Sequence, residues 1–255
     1  MHAPIWRCRS CGLLFQWPRP DEATLLARYA AVEDPLYLAE KENRRLTFRR
    51  ALAHLGPPAG RRLLDVGAYC GLFVGVAQEA GFRAEGIELS RWAVAQARAQ
   101  GLVVRNESIE EHARSGTRYD LITMWDVVEH LSHPRRDLAA CLGLLRRGGQ
   151  LHLSTIDARS FLARGLGRRW PWLMEMHLIY FDRKTLPALL EQTGFRVLSR
   201  RLYTHTVSVD YLLRKVGASF PPFALPCGAL RRLMPPALPI PVNLGDNMVV
   251  TAERP

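Results

Sequence analysis

The stretch that decides the fold runs from Leu63 to Gly71 and reads LLDVGAYCG. A short apolar run enters a D-x-G-x-x-x-G loop, a pattern typical of the turn between a β-strand and the helix that follows it. Gly67 removes the side chain where a ligand must touch the backbone, and Gly71 allows the next helix to start close to the sheet. The stretch therefore predicts a ligand-binding turn in an α/β sheet.

A carboxylate follows this loop at the distance of about one β-α unit. Glu88 ends the second apolar run, 82–87, where an acidic side chain can accept hydrogen bonds from both hydroxyls of a ribose. A nicotinamide dinucleotide site needs G-x-G-x-x-G, whose second glycine brings the pyrophosphate to the helix N-terminus. Here Tyr69 and Cys70 occupy the loop, so the loop lacks the glycine pattern that binds a pyrophosphate. Because S-adenosylmethionine has no phosphate, we expect it to be the ligand, with an ordinary βα turn as the alternative.

The rest of the chain alternates between strand and helix patterns. Apolar runs predict strands at 63–66, 84–88, 103–105, 119–125 and 151–154, and the segments between them predict helices at 72–80, 90–100, 109–114 and 134–146. Ser90 is a helix N-cap, and Gly81, Gly101 and Gly148 are expected to end helices. This rhythm predicts a doubly wound α/β sheet. The late strands, 195–203 and 248–252, suit an antiparallel hairpin at its edge.

Residues 1–58 form the predicted N-terminal extension. They contain Cys8-x-x-Cys11, a short apolar hairpin, one helix to about Ala30 and a second at 36–55. A structural zinc site needs four ligands, whereas this pair supplies two thiolates, to which His2 could add a third. We therefore expect no metal. The second predicted domain, 59–255, carries insertions at about 157–177 and 204–245.

Composition narrows the class of protein. The chain has 255 residues, 48% hydrophobic residues and a net charge of +11, and no apolar run is long enough to span a bilayer. The start lacks the pattern of a secretory signal, so we expect a cytoplasmic protein. The basic charge suits phosphates, nucleic acid or anionic lipid, but the arginines are scattered in pairs. The insertion 204–245 is either a cover on the core or a patch that reaches a lipid surface.

Four groups of motifs together resemble the class I S-adenosylmethionine-dependent methyltransferases, over Arg61 to about Ala252. They are Leu64-Asp65-Val66-Gly67 with Gly71, Gly86-Ile87-Glu88, Tyr119-Asp120-Leu121-Ile122 running into Trp125-Asp126-Val127-Val128-Glu129-His130, and Leu144-Leu145-Arg146-Arg147-Gly148-Gly149. The resemblance implies a Rossmann-like sheet of seven strands whose last strand is antiparallel. It also implies methyl transfer from S-adenosylmethionine.

A narrower likeness concerns the N-terminus and the segment 176–181. Cys8-x-x-Cys11-Gly12-Leu13 with Pro18-Arg19-Pro20, and Met176-His177-Leu178-Ile179-Tyr180-Phe181, look like bacterial methyltransferases that modify sugars and secondary metabolites. Those relatives often carry a complete zinc knuckle, of which this chain has only the second half. The likeness implies a small-molecule, sugar or glycan acceptor, methylated at oxygen or nitrogen. Carbon methylation is less expected, because relatives that do it show tyrosine and glutamate where Met174 and Met176 stand.

The cofactor residues follow from the sheet and the resemblance. The backbone of the loop is expected to face the methionine part of S-adenosylmethionine, and Glu88 with its neighbour Leu89 is expected to face the ribose. Residues after the third and fourth strands are expected to line the adenine site and the acceptor crevice. The expected set is Asp65, Gly67, Ala68, Tyr69, Gly71, Glu88, Leu89, Ser108, Ile109, Trp125 and Asp126.

Two histidines are candidates for the catalytic base. The resemblance places His177 at the acceptor mouth, and an imidazole can take a proton at neutral pH. His130 follows Glu129 after the fourth strand and is the second candidate. Either histidine could instead be structural, and an amine that is already neutral would need no base.

Two other functions remain open from the sequence. The basic charge suits a nucleic-acid methyltransferase, but Trp125-Asp126-Val127-Val128 lacks the Asn/Asp-Pro-Pro-aromatic loop of enzymes that methylate base amino groups, and no RNA-binding module is visible. A non-catalytic cofactor-binding protein is the other alternative. The sequence leaves the oligomeric state open.

Overall fold

The computed structural model describes residues 3–219 and 221–255, so His2 and Phe220 lie outside the described residues. The strands are β1 Ile5–Arg7, β2 Leu14–Gln16, β3 Arg62–Val66, β4 Arg83–Ile87, β5 Val104–Arg105, β6 Tyr119–Trp125, β7 Leu145–Ile156, β8 Ile179–Tyr180, β9 Arg196–Leu202, β10 His205–Ser208, β11 Pro239–Val242 and β12 Asn247–Glu253. The α-helices are α1 Glu22–Ala30, α2 Pro35–Ala39, α3 Lys41–Leu52, α4 Leu72–Glu79, α5 Arg91–Ala99, α6 Ile109–Ala113, α7 Pro134–Leu144, α8 Phe161–Leu166, α9 Thr185–Gln192, α10 Val209–Ser219 and α11 Ala224–Leu233.

The centre of the fold is a seven-stranded sheet in the order β5-β4-β3-β6-β7-β12-β9. The pairs from β5 to β7 are parallel, and β12 is antiparallel to both β7 and β9. The predicted α/β class and the antiparallel last strand are confirmed. Because β3 lies beside both β4 and β6, the carboxyl ends of these three strands meet at one edge, where α/β sheets bind ligands.

Helices cover both faces of this sheet, and each face has its own apolar core. On one face α3, α4 and α5 bury Phe48, Phe73 and Val94. On the other face α6, α7 and α9 bury Ile109, Leu138 and Leu186. Ser90 caps α5 as expected, since its Oγ accepts a hydrogen bond from Ala93 N. The layers are those of a doubly wound sheet.

Several predicted boundaries were wrong. The segment 36–55 forms two helices separated at Glu40, whose carboxylate bonds Asn43 and Ser208. The strand expected at 151–154 begins at Leu145, so Gly148 lies within β7 with φ +75 and does not end a helix. The predicted insertion at about 157–177, for which no helix was predicted, contains α8.

The N-terminal hairpin belongs to a second, small sheet. β1 and β2 are antiparallel, as expected, and β2 also pairs with β8, a contact that the sequence did not predict. Gln16 reinforces this pairing, because its Nε2 donates to the carbonyl of Met174 and to the Tyr180 hydroxyl. The hairpin is therefore fixed to the segment that carries His177.

The insertion 204–245 is structured in the described residues. β10 pairs with β11, α10 packs on α11, and β10 contacts α3. Among the described residues, no helix combines the length and the apolar character that crossing a membrane requires.

The two glycines Gly71 and Gly101 give a matched test of packing at the start of α4. They have nearly the same φ, +74 and +75, but an added Cβ at Gly71 would lie 2.8 Å from Leu102 and 3.1 Å from Ala97, whereas at Gly101 nothing lies within 4 Å. Both alanine variants bear the cost of a left-handed backbone, about 1–2 kcal/mol. We expect Gly71→Ala to lower the free energy of unfolding by about 1–3 kcal/mol more, from overpacking. Urea denaturation measures it, and equal losses would contradict the packing argument.

Candidate active site

The loop between β3 and α4 is joined to the end of β4 by backbone hydrogen bonds. Gly67 N and Ala68 N both donate to the carbonyl of Ile87, at 2.9 and 3.0 Å. Gly67, Tyr69 and Gly71 have positive φ values of 70°, 47° and 74°. This sharp turn presents its outer side at the carboxyl edge of the sheet.

The structure gives a second reason for glycine at position 67. An added Cβ there would lie 2.6 Å from the Val127 side chain, which belongs to the segment after β6. The expected reason was contact with a ligand, and the neighbour that the structure shows is a residue of the chain. Glycine therefore allows the two segments that frame the crevice to touch each other.

Glu88 shapes the loop through both of its carboxylate oxygens. Oε2 accepts a hydrogen bond from Tyr69 N at 2.9 Å, and Oε1 accepts one from Ser90 N at 2.8 Å. Burial raises the pKa of this carboxyl. A carboxylate oxygen has further lone pairs, so Glu88 can hold the loop and still accept bonds from a ligand.

Asp65 lies beneath the loop and is buried. Its Oδ1 accepts a hydrogen bond from Thr123 Oγ1 at 2.7 Å, and burial, together with Glu88, raises the pKa of Asp65 to about 8. Asp65 thus connects β3 to β6 within the sheet. Asp65 therefore lies under the turn. Gly71, at the end of the turn, packs against α5.

The residues expected near adenine, Ser108 and Ile109, lie where α6 begins, after β5. Ser108 is the N-cap of α6, and its Oγ and N both bond Glu111, so its polar groups serve the helix. Ile109 is buried beside it. The carbonyl of Leu89 accepts a bond from Asn106 Nδ2 at 2.8 Å, which ties the ends of β4 and β5 together.

Trp125 ends β6 and Asp126 follows it, but their side chains have different surroundings. The Trp125 ring stacks on Tyr203, with centroids 5.7 Å apart, and lies 5.1 Å from Phe73. Asp126 has a φ of +57°, and it exchanges hydrogen bonds with the Ser154 hydroxyl. Asp126 is held at the crevice, whereas the Trp125 side chain turns into the layer under α3.

The two candidate bases lie together. The rings of His130 and His177 have centroids 4.8 Å apart. Nδ1 of His130 donates to the carbonyl of Met176 at 2.7 Å, and Nδ1 of His177 donates to that of Trp172 at 2.9 Å. Because a carbonyl can only accept, each Nδ1 carries the hydrogen and each Nε2 keeps its lone pair.

Burial sets the charge of this pair. It lowers the pKa of His177 to about 4, aided by the neighbouring His130, and it also lowers the pKa of His130. Glu129 is buried next to them, and its Oε2 has no hydrogen-bond partner in the described structure. Burial and then Asp126 raise the pKa of Glu129. At neutral pH both imidazoles are therefore uncharged proton acceptors.

The same three side chains could hold a cation. Ligand atoms of Glu129, His130 and His177 all lie within 4.8 Å of one another. Imidazole and carboxylate are ligand types that divalent metals use. Cys8 and Cys11 are free thiols in the hairpin. The expectation of no metal stays a prediction, and this cluster is the place to test it.

Sequence reasoning missed two residues beside the loop. The Tyr37 ring lies 4.6 Å from that of Tyr69, and the Arg44 guanidinium lies 4.0 Å above Tyr37. Arg44 Nε is buried without a hydrogen-bond partner in the described structure. In the sequence, Arg44 looks like its neighbour Arg45, and only the packing of α3 distinguishes them.

Comparison with known proteins assigns the chain to a family. A family model described as a methyltransferase domain matches residues 39–200. That is more than half of the chain, which therefore belongs to this family of S-adenosylmethionine-dependent methyltransferases.

Individual relatives agree with this assignment. The ubiquinone biosynthesis O-methyltransferase of Aromatoleum aromaticum is 36% identical over 112 residues, which is 41% of this chain and 47% of the relative. The enzyme of that name from Ralstonia nicotianae is 29% identical, over 62% of this chain and 76% of the relative. The chain thus spans about half the length of the first of these curated relatives and three quarters of the second.

Solved structures show the same fold at low identity. A SAM-dependent methyltransferase from Archaeoglobus fulgidus has a TM-score of 0.59 and 18% identity, covering 87% of this chain and all of that one, 100%. The magnesium protoporphyrin IX methyltransferase of Synechocystis was solved with SAH, the demethylated cofactor, bound. It has a TM-score of 0.55 and 13% identity, covering 91% of this chain and 94% of that one.

Proposed function

We propose that this chain transfers the methyl group of S-adenosylmethionine to an oxygen of a small-molecule acceptor, with His177 as the general base. The observation that carries this proposal is the pair of a buried His177 and a half-buried His130, since both Nε2 lone pairs are free of protein donors in the described structure. A hydroxyl must lose a proton when it is methylated, and a positioned imidazole can take it. Transfer to nitrogen, which we also expected, needs a base only if the amine is protonated.

The proposed cofactor pose follows the loop. The methionine part lies along the turn at Gly67, Ala68 and Tyr69, and the ribose lies on Glu88. Arg44 supports this pose, because its unpartnered Nε and its position over Tyr37 offer a cation near the loop for the methionine carboxylate. Ile109 would bound the adenine. Alignment of methyl, sulfur and acceptor then supplies most of the catalysis.

Two similarities to known methyltransferases support the proposed class of acceptor. The curated relatives are named ubiquinone biosynthesis O-methyltransferases, which favours a hydroxylated ring, and the motif at 176–181 favours a sugar, glycan or secondary metabolite. Both are small molecules with hydroxyl groups. A nucleic-acid acceptor and a non-catalytic role are the alternatives that the experiment below must exclude.

Methyl-labelled S-adenosylmethionine tests this function. The acceptor panel comprises catechols, polyprenylated phenols, sugar nucleotides, lipid-linked glycans and RNA, and we expect label in a hydroxylated small molecule. With that acceptor, His177→Ala should lose about 10²–10⁴-fold in kcat, the usual contribution of a general base. Binding of SAH, the demethylated cofactor, should be unchanged. His133→Ala is the matched control, because His133 is half-exposed and pairs with Glu22 outside the cluster.

The pH profile distinguishes a base from a structural histidine. The uncharged form of His177 is the active one, so kcat should fall only as pH drops through the lowered pKa of about 4, below the ordinary histidine value of about 6.5. Label only in RNA, or full activity of His177→Ala with the true acceptor, would contradict the proposal.

We also propose that α11 meets an anionic lipid surface, so that a cytoplasmic enzyme can reach a membrane-borne acceptor. Leu225 and Leu233 are 87% and 82% exposed, and Arg231 and Arg232 lie on the same helix. Apolar side chains beside arginines suit the boundary of an anionic bilayer.

Liposome flotation measures this binding. We expect the protein to float with phosphatidylglycerol vesicles and not with phosphatidylcholine vesicles, and the double variant Leu225→Asp with Leu233→Asp to stay at the bottom. Equal flotation of the double variant and the parent would contradict a role of α11 in this binding.

A further inference from the structure

A cavity of about 310 Å³ lies between the second half of α3 and the strands β7, β9 and β12. We call it the α3 cleft. Its lining includes Arg50, His54, Trp125, His152, Arg201 and Tyr203. Neither the loop at 65–71 nor Glu88, His130 or His177 lines it, so the cleft is distinct from the candidate active site and shares only Trp125 with the expected cofactor residues.

The floor of the α3 cleft is aromatic and uncharged. Trp125 and Tyr203 are stacked there, with an angle of 15° between their rings. His152 bonds Thr251 and Gln150 through its two nitrogens, and burial lowers its pKa to about 3, so it carries no charge. The indole Nε1 of Trp125 is buried without an acceptor in the described structure. A flat apolar group fits this floor.

The rim of the cleft is positively charged. Arg50 donates a hydrogen bond to the Thr206 hydroxyl, and no carboxylate of the described residues forms an ion pair with Arg50 or Arg201. Burial and then Arg201 lower the pKa of His54 on the same rim. The rim therefore has a positive potential that the protein does not neutralise, and an anion would be attracted to it.

We propose that the α3 cleft binds a small carboxylate with a flat apolar ring, seated with the ring on Trp125 and Tyr203 and the carboxylate between Arg50 and Arg201. The volume is at the lower end of ligand pockets, which suits one or two fused rings. Guanidinium groups are well suited to a carboxylate, since they can donate two parallel hydrogen bonds. The site is independent of the methyl-transfer proposal and would remain if that proposal failed.

Calorimetry with 2-naphthoate and its uncharged analogue 2-naphthamide tests the charge requirement. We expect 2-naphthoate to bind at least tenfold more tightly, and this preference to disappear in Arg201→Gln. Arg118→Gln is the matched control, because Arg118 is an exposed arginine that does not line the cleft. Equal binding of the two probes, no detectable binding of either, or an unchanged preference in Arg201→Gln would overturn the proposal.

A steric variant tests the location without removing charge. Ala53 lines the cleft and is exposed, so Ala53→Trp should fill the entrance and leave the core intact. We expect it to lose 2-naphthoate binding at an unchanged melting temperature. Saturating SAH should leave 2-naphthoate binding in the parent protein, whereas displacement by SAH would assign the probe to the cofactor crevice and overturn the assignment.

Discussion

The Ile87 carbonyl and the Glu88 carboxylate hold the turn after β3, and the candidate site depends on this contact. The carbonyl accepts two loop N–H groups, and the carboxylate accepts the N–H groups of Tyr69 and Ser90. These bonds fix a turn in which three residues have positive φ. Because the groups that hold the turn all belong to the protein, they can keep its backbone in place for the proposed cofactor, which lowers the entropy lost on binding.

The proposed acceptor side is arranged by the same principle, with side chains in place of backbone. Two carbonyls fix the hydrogens of His130 and His177, and the N-terminal hairpin fixes the segment around His177 through β8. Burial keeps both imidazoles uncharged. The proposed base is thus positioned by an extension that lies outside the central sheet, which gives that extension a structural role whether or not its cysteines bind metal.

The sequence was most informative where periodicity and glycine act locally. Strand and helix alternation predicted the central sheet, and Gly71 and Ser90 predicted the start of α4 and the cap of α5. The sequence did not predict the break between α2 and α3 at Glu40. Glu40 there bonds Ser208, which is far along the chain, so local helix propensity does not show this break. The sequence also failed at Gly148, where the helix before it ends early and the strand continues through a left-handed residue.

The residues of the candidate site also fall into two groups, those that a local sequence pattern indicates and those that depend on tertiary packing. The loop, Glu88 and the two histidines could be named from motifs and from resemblance, because each lies in a short pattern. Arg44, Tyr37 and the α3 cleft could not, because they depend on how α3 packs over the sheet. That packing brings residues near position 50 to residues near position 201, a separation no local pattern encodes.

We propose that the crevice between the loop and Glu88 binds S-adenosylmethionine. Calorimetry of the intact chain with SAH and with NADH tests it most directly, alongside Glu88→Gln, which keeps the shape of the side chain and removes its charge. We expect SAH to bind tightly to the parent protein and at least tenfold more weakly to the variant, and we expect no binding of NADH. Tight binding of NADH with no heat from SAH or S-adenosylmethionine would contradict it.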